Sequence, residues 1–338
     1  MSDDPHPHFW QPRIALPFLT IALIWGSTWL VIKDQVGLVS PSWSATWRFL
    51  VAGIAMAGLA KVRREPLMLG ARGFRLAALV GIPQFALNFQ LVYASEQHLT
   101  SGIVAVLYAL LLVPNAVLAR MFLGQPLTGR FLAGSGIAIG GIALLMLHEA
   151  RLAAPGAQAL LGIALAVGGL LSASVANVLQ AGPQARHVPM VPMLAWAMLI
   201  ATLINVASAW IIAGPPQIDW TPRYLAGIAY LAFIGSVVTF PLYFGRLRDL
   251  GAGRAAYNGV LVPVVAMALS TVFEGYRWSI LAVSGAVLAL VGLVVAVNAR
   301  KPAKRASRLA RPSRYVGNRG SQPSTRRALP FATRRFSA

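Results

Sequence analysis

Polar side chains recur at intervals of three or four residues inside several strongly apolar segments of the sequence. Residues at this spacing lie on one face of a helix. Lipid cannot satisfy amides or hydroxyls, so such a face should turn toward the protein interior. There it either lines a substrate path or makes hydrogen bonds between helices. The pairs are Gln84 with Asn88, Ser174 with Asn177, and Thr239 with Tyr243.

Arg48 is the one basic residue that lies well inside an apolar segment, away from its ends. A charge at the centre of a bilayer costs about 2.5 to 3.5 kcal/mol on insertion scales, so it needs a partner or a hydrated cavity. Arg48 lies roughly 7.5 Å from the nearer end of its segment, given the helical rise per residue. Two roles stay open: binding a substrate carboxylate or phosphate in a cavity, or anchoring at the membrane interface.

Acidic residues and histidines occur only in or near the expected loops, as Glu96, Glu274 and His148 illustrate. A carboxylate relay of the kind found in proton-coupled pumps is therefore not evident. The sequence has no cysteine, which removes disulfides, thiolate metal sites and cysteine nucleophiles. No Walker A motif is present either. We expect no enzyme active site, no cofactor and no metal, and we expect facilitated diffusion or exchange rather than carboxylate-based proton coupling.

The elements that position these residues are predicted to be membrane helices. Of 338 residues, 57% are hydrophobic and 11% charged, with a mean hydropathy of +0.67, which leaves too little polar surface for a water-soluble globule. Apolar runs of roughly 20 residues, enough to cross a bilayer, occur ten times. They lie at about 14–32, 43–60, 74–93, 99–122, 131–147, 158–180, 190–213, 224–245, 254–273 and 279–297.

One stretch occurs twice, at 99–147 and at 250–297. At an offset of 149, Val113-Pro114 matches Val262-Pro263, and Ser135-Gly136 matches Ser284-Gly285. Each copy ends a block of five helices, and because five is odd the two blocks enter the membrane from opposite sides. Secondary transporters are built from such inverted repeats. Proline removes a backbone hydrogen bond and kinks a helix, so Pro114 and Pro263 are predicted hinges.

The distribution of Lys and Arg predicts the orientation of the chain. The loops on the same side as the termini contain twelve of them, and the opposite loops contain only Lys33, Arg151, Arg223 and Arg277. This asymmetry predicts cytoplasmic termini. Twelve of the 29 basic residues lie in the last 39 positions, so the net charge of +20 mostly describes a tail. Its composition indicates a disordered segment that is loosely attracted to lipid headgroups, and no nucleic-acid site.

Several short motifs, in their order and duplication, resemble the EamA family of the drug/metabolite transporter superfamily. They are Trp25-Gly26-Ser27, Arg48-Phe49, Leu123-Gly124-Gln125-Pro126-Leu127-Thr128, Val262-Pro263 and Phe273-Glu274-Gly275. The resemblance implies a ten-helix bundle whose cavity is lined by the first four helices of each half, with the fifth and tenth at the periphery. It also implies export of amino acids or other small metabolites.

Two departures from the family pattern concern turns. Gln125 replaces the usual glutamate after the fourth helix, and Glu274 lacks the preceding glycine. We infer that these turns serve structure more than chemistry. The resemblance also favours a place at the cavity for Trp25 and Ser27, although a position in an aromatic belt explains the tryptophan equally well. Tyr108, Tyr257 and Asn258 precede the repeated Val-Pro sites and join the candidate contacts with a substrate.

We therefore predict an all-α integral membrane protein with ten transmembrane helices in two inverted five-helix repeats. The predicted parts are a cytoplasmic N-terminus (1–13), the first repeat (14–147), a periplasmic linker (148–157), the second repeat (158–297) and the tail (298–338). The predicted function is export of a small metabolite, such as an amino acid, across a bacterial cytoplasmic membrane by alternating access.

Alternatives are an integral membrane enzyme acting on a lipid-linked substrate, and a non-transporting sensor or scaffold. The expected partners are a small-molecule substrate and the lipid bilayer, without nucleic acid. Gly136 with Gly140, and Gly285 with Ala289, form pairs of small residues suited to close helix packing. Whether these pairs pack within one chain or form a homodimer is open.

Overall fold

The computed structural model describes residues 12–152, 158–250 and 258–299, and within these ranges all regular secondary structure is helical. We number the helical stretches in chain order. They are α1 (Pro12–Val36), α2 (Pro41–Val62), α3 (Gly70–Gly81, Ile82–Leu87 and Asn88–Ser95), α4 (Ser101–Ala109 and Leu112–Leu123), α5 (Gly129–Leu152), α6 (Gln158–Ala181), α7 (Met190–Ala213), α8 (Pro222–Ala229, Tyr230–Val238 and Thr239–Leu250), α9 (Asn258–Phe273) and α10 (Ile280–Asn298). A short 3₁₀ turn, Pro183–His187, links α6 to α7.

Six of these stretches are long and apolar enough to cross a membrane by length and composition, namely α2, α3, α4, α6, α7 and α8. Shorter apolar helices occur within α5, α9 and α10. The all-helical class is thus confirmed for the described residues, while the count of ten spans stays a prediction. The predicted N-terminus (1–13) and tail (298–338) lie mostly outside the described residues, as does the second half of the predicted linker (148–157).

Capping residues explain where several helices begin and end. Thr221 accepts a hydrogen bond from the Tyr224 amide, and Pro222 occupies the first position of α8, where the missing N–H costs nothing. Gly124 ends α4 with a φ of 65°, in the left-handed region that glycine tolerates. After α9 the same role falls to Gly275, with a φ of 67°. The glycine that the second copy lacks before Glu274 is therefore replaced by the one after it.

Helix packing follows a pattern that is preserved when the two predicted halves are exchanged. Exchanging the halves turns α1 into α6 and α9 into α4, and both pairs α1–α9 and α6–α4 are in contact. In the same way α3 packs on α6 and α7, and its counterpart α8 packs on α1 and α2. The pairs α2–α7, α4–α9 and α5–α10 join counterparts directly. Two related five-helix halves that face each other would pack in this way.

Small residues bring α5 and α10 into close backbone contact. A methyl group on Gly141 would lie 2.3 Å from the Ala289 nitrogen, and one on Gly292 would lie 2.2 Å from the Ala138 nitrogen. Gly285 and Ala289 are at this interface, as predicted. Gly136 and Gly140 take no part in this contact, since a methyl group on either would meet no described atom of the same chain within 4 Å, and their packing against a second chain stays a prediction. On α5 the contacting face instead runs through Gly134, Ala138 and Gly141, which are spaced four and three residues apart.

The third helix of each half widens into a π-helical segment, Ile82–Leu87 in α3 and Tyr230–Val238 in α8. The main-chain N–H of Asn88 donates to the Pro83 carbonyl, five residues back. In the second segment, the side-chain hydroxyl of Ser236 donates to the Leu231 carbonyl at 2.8 Å. Proline lacks the N–H of a regular helical bond, and Pro83 lies inside the first segment. Such segments often occur at functional sites, so their matched positions draw attention to the space between the halves.

Candidate functional site

A cavity lies between α1, α2, α3, α4, α6, α8 and α9 and encloses about 1020 Å³ of space free of atoms, its open mouth included. The described helices α5, α7 and α10 contribute no lining residue. The peripheral position expected for the fifth and tenth helices therefore agrees with the structure, whereas α7 differs from the expectation. The polar and charged residues of the wall are Thr28, Arg48, Gln84, Asn88, Asn115 and Asn177, and its aromatic residues are Trp25, Trp29, Phe89, Tyr108, Phe240 and Tyr243.

Arg48 contributes a positive charge to this wall. Its side chain is only 1% exposed, so it does not reach the surface, and the interfacial anchor considered from the sequence is wrong. The guanidinium carbon lies 4.5 Å from the centre of the Phe89 ring, and Nε donates to the Ser236 hydroxyl at 3.2 Å. Its Nη1 is buried and has no hydrogen-bond partner among the described residues. Arg48 is the one charged residue among the described lining residues.

Two other lining side chains have buried polar atoms without a partner among the described residues. These are the indole Nε1 of Trp29 and the amide oxygen Oε1 of Gln84. With Nη1 of Arg48 they make two donors and one acceptor, all on residues that line the same cavity. Buried polar groups are nearly always paired in folded proteins, so this set of unpaired groups is the mark of a ligand site or a hydrated one.

Asn88 and Tyr108 form the polar link between α3 and α4. The Tyr108 hydroxyl donates to Oδ1 of Asn88 at 2.7 Å, and Nδ2 of Asn88 donates to the Gln84 carbonyl at 3.2 Å. Gly169 of α6 leaves room for this contact, because a methyl group there would lie 2.2 Å from the tyrosine hydroxyl. The Tyr108 ring also packs against Trp29, with 5.0 Å between ring centres.

An amide pair lies farther along the cavity. Nδ2 of Asn177 on α6 donates to Oδ1 of Asn115 on α4, at a long 3.4 Å. Both residues are buried, with 4% of the surface of Asn177 and 8% of that of Asn115 exposed. An amide pair holds further donors and acceptors beyond this one bond, so it provides hydrogen-bonding capacity at the cavity surface.

Trp25 forms an aromatic corner with residues of α8. Its ring centre lies 4.8 Å from that of Tyr243 and 5.5 Å from that of Phe240, and its Nε1 donates to the Gly235 carbonyl at 3.4 Å. The approach of α1 to α9 is close at the next residue, since a methyl group on Gly26 would lie 2.5 Å from a methyl carbon of Val265. The Trp-Gly pair thus joins α1 to both α8 and α9.

The structure brings most of the predicted site residues together at this cavity. Those lining it are Trp25, Arg48, Gln84, Asn88, Tyr108, Asn177, Tyr243 and Pro263. Ser27 is not among them, because its hydroxyl lies 2.6 Å from that of Tyr230 and donates to the Ile24 carbonyl at 2.8 Å. Tyr257 and the side chain of Asn258 lie outside the described residues. That the lining residues bind a substrate stays a prediction.

The two predicted hinge prolines differ in their surroundings. Pro114 follows a break in α4, where Leu110 and Leu111 donate to carbonyls only three residues back. Pro263 lies inside a continuous helix and lines the cavity, whereas Pro114 does not. Equal register in the sequence therefore does not produce equal local structure.

Trp29, Phe89 and Phe240 line the cavity and were missed from the sequence. The sequence contained a signal for Trp29, which follows Trp25 by four residues and so shares its helix face. Phe89 and Phe240 are adjacent to predicted polar residues, but an aromatic residue in an apolar span is usually a packing residue. The described residues contain no group of three or more His, Cys, Asp or Glu side chains suited to a metal ion.

Comparison with known proteins places the chain among membrane transporters. The model of the EamA-like transporter family matches residues 13–147 and 160–298, which correspond to the two repeats. Protein PagO of Salmonella typhimurium is 23% identical over 290 residues, covering 84% of this chain and 91% of its own length. The uncharacterized inner membrane transporter YedA of Escherichia coli is 29% identical over 254 residues, covering 75% and 80%.

A third relative and a solved structure agree with these matches. The uncharacterized transporter YyaM of Bacillus subtilis is 25% identical over 289 residues, covering 84% of this chain and 93% of its own. One crystal structure superposes with a TM-score of 0.64 at 16% identity, covering 84% of this chain and 96% of the other, and at that identity it supports the fold alone. The chain belongs to the EamA-like transporter family and is a multi-pass inner membrane transporter of the drug/metabolite type, with a small molecule as its substrate.

Proposed function

We propose that this protein exports a small metabolite of the amino acid type across the cytoplasmic membrane by alternating access. The observation that supports this proposal is the set of unpaired polar atoms around the cavity. Nη1 of Arg48 and Nε1 of Trp29 are donors, and Oε1 of Gln84 is an acceptor. An α-amino acid has a carboxylate that accepts and an ammonium group that donates, so it complements these three atoms.

The rest of the cavity suits the side chain of such a substrate. Aromatic rings from α1, α3 and α8 form an apolar wall, and the amide pair Asn115–Asn177 provides hydrogen bonds at another part of the surface. A mostly apolar cavity with a few placed polar groups is the usual composition of a small-molecule site. Arg48, held between Ser236 and Phe89, would orient the carboxylate.

Alternating access is supported by contacts that close one side of the bundle. Asp34 at the end of α1 forms an ion pair with Arg223 at the start of α8, and the Ser44 hydroxyl lies 2.9 Å from that of Tyr224. Both contacts join the first predicted half to the second. In the topology predicted from the loop charges, this closed side faces the periplasm, and the cavity would then load from the cytoplasm.

Counterflow in liposomes tests the proposal. The purified full-length chain is reconstituted with one unlabelled compound inside, and uptake of the same labelled compound is followed across a panel of amino acids, sugars, bases and organic cations. We expect saturable counterflow for at least one amino acid and weaker movement of analogues that lack the carboxylate. Movement of none of the compounds would overturn the transport proposal, and would favour the enzyme or scaffold alternatives. Movement of sugars or cations alone would overturn the amino acid assignment.

A further inference from the structure

Glu96 is a fully buried carboxyl group outside the cavity wall. It lies in the turn between α3 and α4 with 0% of its surface exposed. Both of its carboxyl oxygens are buried and have no hydrogen-bond partner among the described residues. By contrast, Glu274 accepts hydrogen bonds from the main-chain nitrogen and the hydroxyl of Ser101, at the start of α4. The two glutamates near this turn therefore have different roles.

Lys33 of α1 approaches Glu96 but binds its main chain. The ammonium donates to the main-chain carbonyl of Glu96 and, at 2.8 Å, to that of Leu99. No ion pair forms between Lys33 and the Glu96 carboxyl among the described residues, where the pair found is Asp34 with Arg223. The other charged or titratable groups that interact electrostatically with Glu96 are Arg48 of α2, Tyr93 of α3, Tyr108 of α4 and Glu274 after α9.

An ionised carboxylate in this position would be costly. Removing a carboxylate from water costs several kcal/mol unless a partner compensates, and neither oxygen has a partner in the described part of the chain. Burial raises the pKa of the Glu96 carboxyl well above 4.5, and the Lys33 ammonium opposes the rise only in part. The neutral acid is therefore the form that the closed turn accommodates.

Glu96 is only one helical turn from the cavity. Its amide donates to the Val92 carbonyl at 3.1 Å, and Val92 lines the cavity, as does Ile32, the residue before Lys33. Arg48 and Tyr108, which interact electrostatically with Glu96, also belong to the cavity wall. A change in the charge of Glu96 therefore alters the electrostatic environment of Arg48, the charged residue among the described lining residues.

We propose that Glu96 is the proton-binding site of the transport cycle and that the proton is the coupling ion. When the side of the bundle that contains the α3–α4 turn opens, water reaches the carboxylate, which takes up one proton and forms one O–H bond. Closure then buries the neutral acid, as seen here, and the cycle ends when water that enters from the cavity side, one helical turn away at Val92, takes the proton and the O–H bond breaks. Because the closed form binds the proton more tightly than the hydrated form, a lower pH on that side favours closure. The inference rests on the proposed transport function, and it replaces the expectation of exchange without a carboxylate.

Infrared spectroscopy tests the proton site without any substrate. The purified full-length chain should show the carbonyl stretch of a protonated, buried carboxylic acid at neutral pH. Glu96→Gln should remove this band, and Glu65→Gln, at a partly exposed position outside the turn, should leave it unchanged. Glu96→Asp keeps a carboxyl group and should shift the band, which gives a second variant if Glu96→Gln does not fold. A wild-type spectrum without the band at neutral pH would overturn the proposal.

Transport in liposomes tests the coupling, with the compound that shows the strongest counterflow as the probe. In the wild type, an imposed pH gradient should drive accumulation of this compound against its own gradient. Glu96→Gln should abolish the pH-driven accumulation while counterflow continues. Unchanged pH-driven accumulation in the variant would overturn the role of Glu96. If no compound shows counterflow, the transport proposal fails by itself, and the infrared result still decides whether Glu96 holds a proton.

Discussion

Arg48 of α2 donates a hydrogen bond of 3.2 Å from Nε to the hydroxyl of Ser236, in the π-helical segment of α8. The same hydroxyl donates to the Leu231 carbonyl at 2.8 Å, so the serine connects the guanidinium to the widened backbone of the opposite half. This contact occupies Nε, while Nη1 is buried without a hydrogen-bond partner among the described residues. The π-helical segment thus positions the charge that we assign to substrate recognition.

Replacing Arg48 should weaken substrate binding more than any other change in the cavity. A hydrogen bond to a charged group contributes roughly 1.5 to 3 kcal/mol, so Arg48→Gln should lower the affinity of the transported compound by about ten- to a hundredfold. Arg48→Lys keeps the charge but not the planar fork, and should recover only part of the affinity. The concentration dependence of counterflow measures both variants. Arg72→Gln, at an exposed position, is the control, and equal affinities in Arg48→Gln and the wild type would refute the role.

The hydroxyl of Tyr108 should contribute to binding through Asn88. Tyr108→Phe removes the 2.7 Å bond and frees the amide oxygen, while the ring can keep its contact with Trp29. The loss of one neutral hydrogen bond, about 1 kcal/mol, predicts a several-fold lower affinity in the same counterflow measurement. The matched control is Tyr230→Phe, because the Tyr230 hydroxyl contacts Ser27 outside the cavity. A larger effect of the control would instead favour the predicted contact of Ser27 with substrate.

Two adjacent glycines of α5 should respond oppositely to alanine. A methyl group on Gly141 would lie 2.3 Å from a backbone nitrogen of α10, and one on Gly140 would meet no atom within 4 Å. Overpacking costs roughly 1 to 3 kcal/mol, so Gly141→Ala should lower the melting temperature of the purified chain in detergent. Gly140→Ala should leave it unchanged or raise it, because alanine favours helix by up to about 1 kcal/mol. Equal melting temperatures would contradict the close packing of α5 on α10.

Orientation in the membrane can be measured with single cysteines, since the natural sequence has none. In the predicted topology, Arg63 lies in a cytoplasmic loop and Trp220 in a periplasmic one, and both side chains are exposed. A membrane-impermeant maleimide should therefore label Trp220→Cys in intact cells, and Arg63→Cys only after the membrane is opened. The reverse pattern would overturn the cytoplasmic assignment of the termini.

The buried Glu96 should make stability depend on pH. Its pKa is raised well above 4.5 in the folded chain, so between 4.5 and the raised value the folded chain holds one proton more than the unfolded chain. Stability from this group is complete below 4.5 and falls as the pH rises, by about 1.4 kcal/mol per pH unit for one proton. Thermal unfolding at a series of pH values measures this slope. Glu96→Gln should lose it and Glu65→Gln should keep it, and equal slopes in all three proteins would contradict the burial of a neutral acid.

Much of the architecture could be predicted because the thickness of the bilayer sets the length of each apolar run in the sequence. Apolar runs located the helices, and the repeated Val-Pro and Ser-Gly sites identified two related halves. Of the predicted polar pairs, Gln84, Asn88, Asn177 and Tyr243 line the cavity, while Ser174 and Thr239 are buried elsewhere. Pro83 and Pro241 interrupt the third and eighth apolar runs, but a proline reveals only a missing N–H and not whether the chain kinks or widens. The structure shows π-helical segments in both.

By itself the sequence determined the class of protein, its division into repeats and the residue types available for recognition, because these depend on composition and on local periodicity. Only the tertiary structure decided which polar groups are paired. Glu96 looked like a loop residue and is fully buried, while Ser27 looked like a cavity residue and is bonded to Tyr230. Arg48 could have reached the interface, yet it is enclosed beside Phe89 and Ser236. Burial and pairing arise from contacts between helices far apart in the chain, which no local pattern contains.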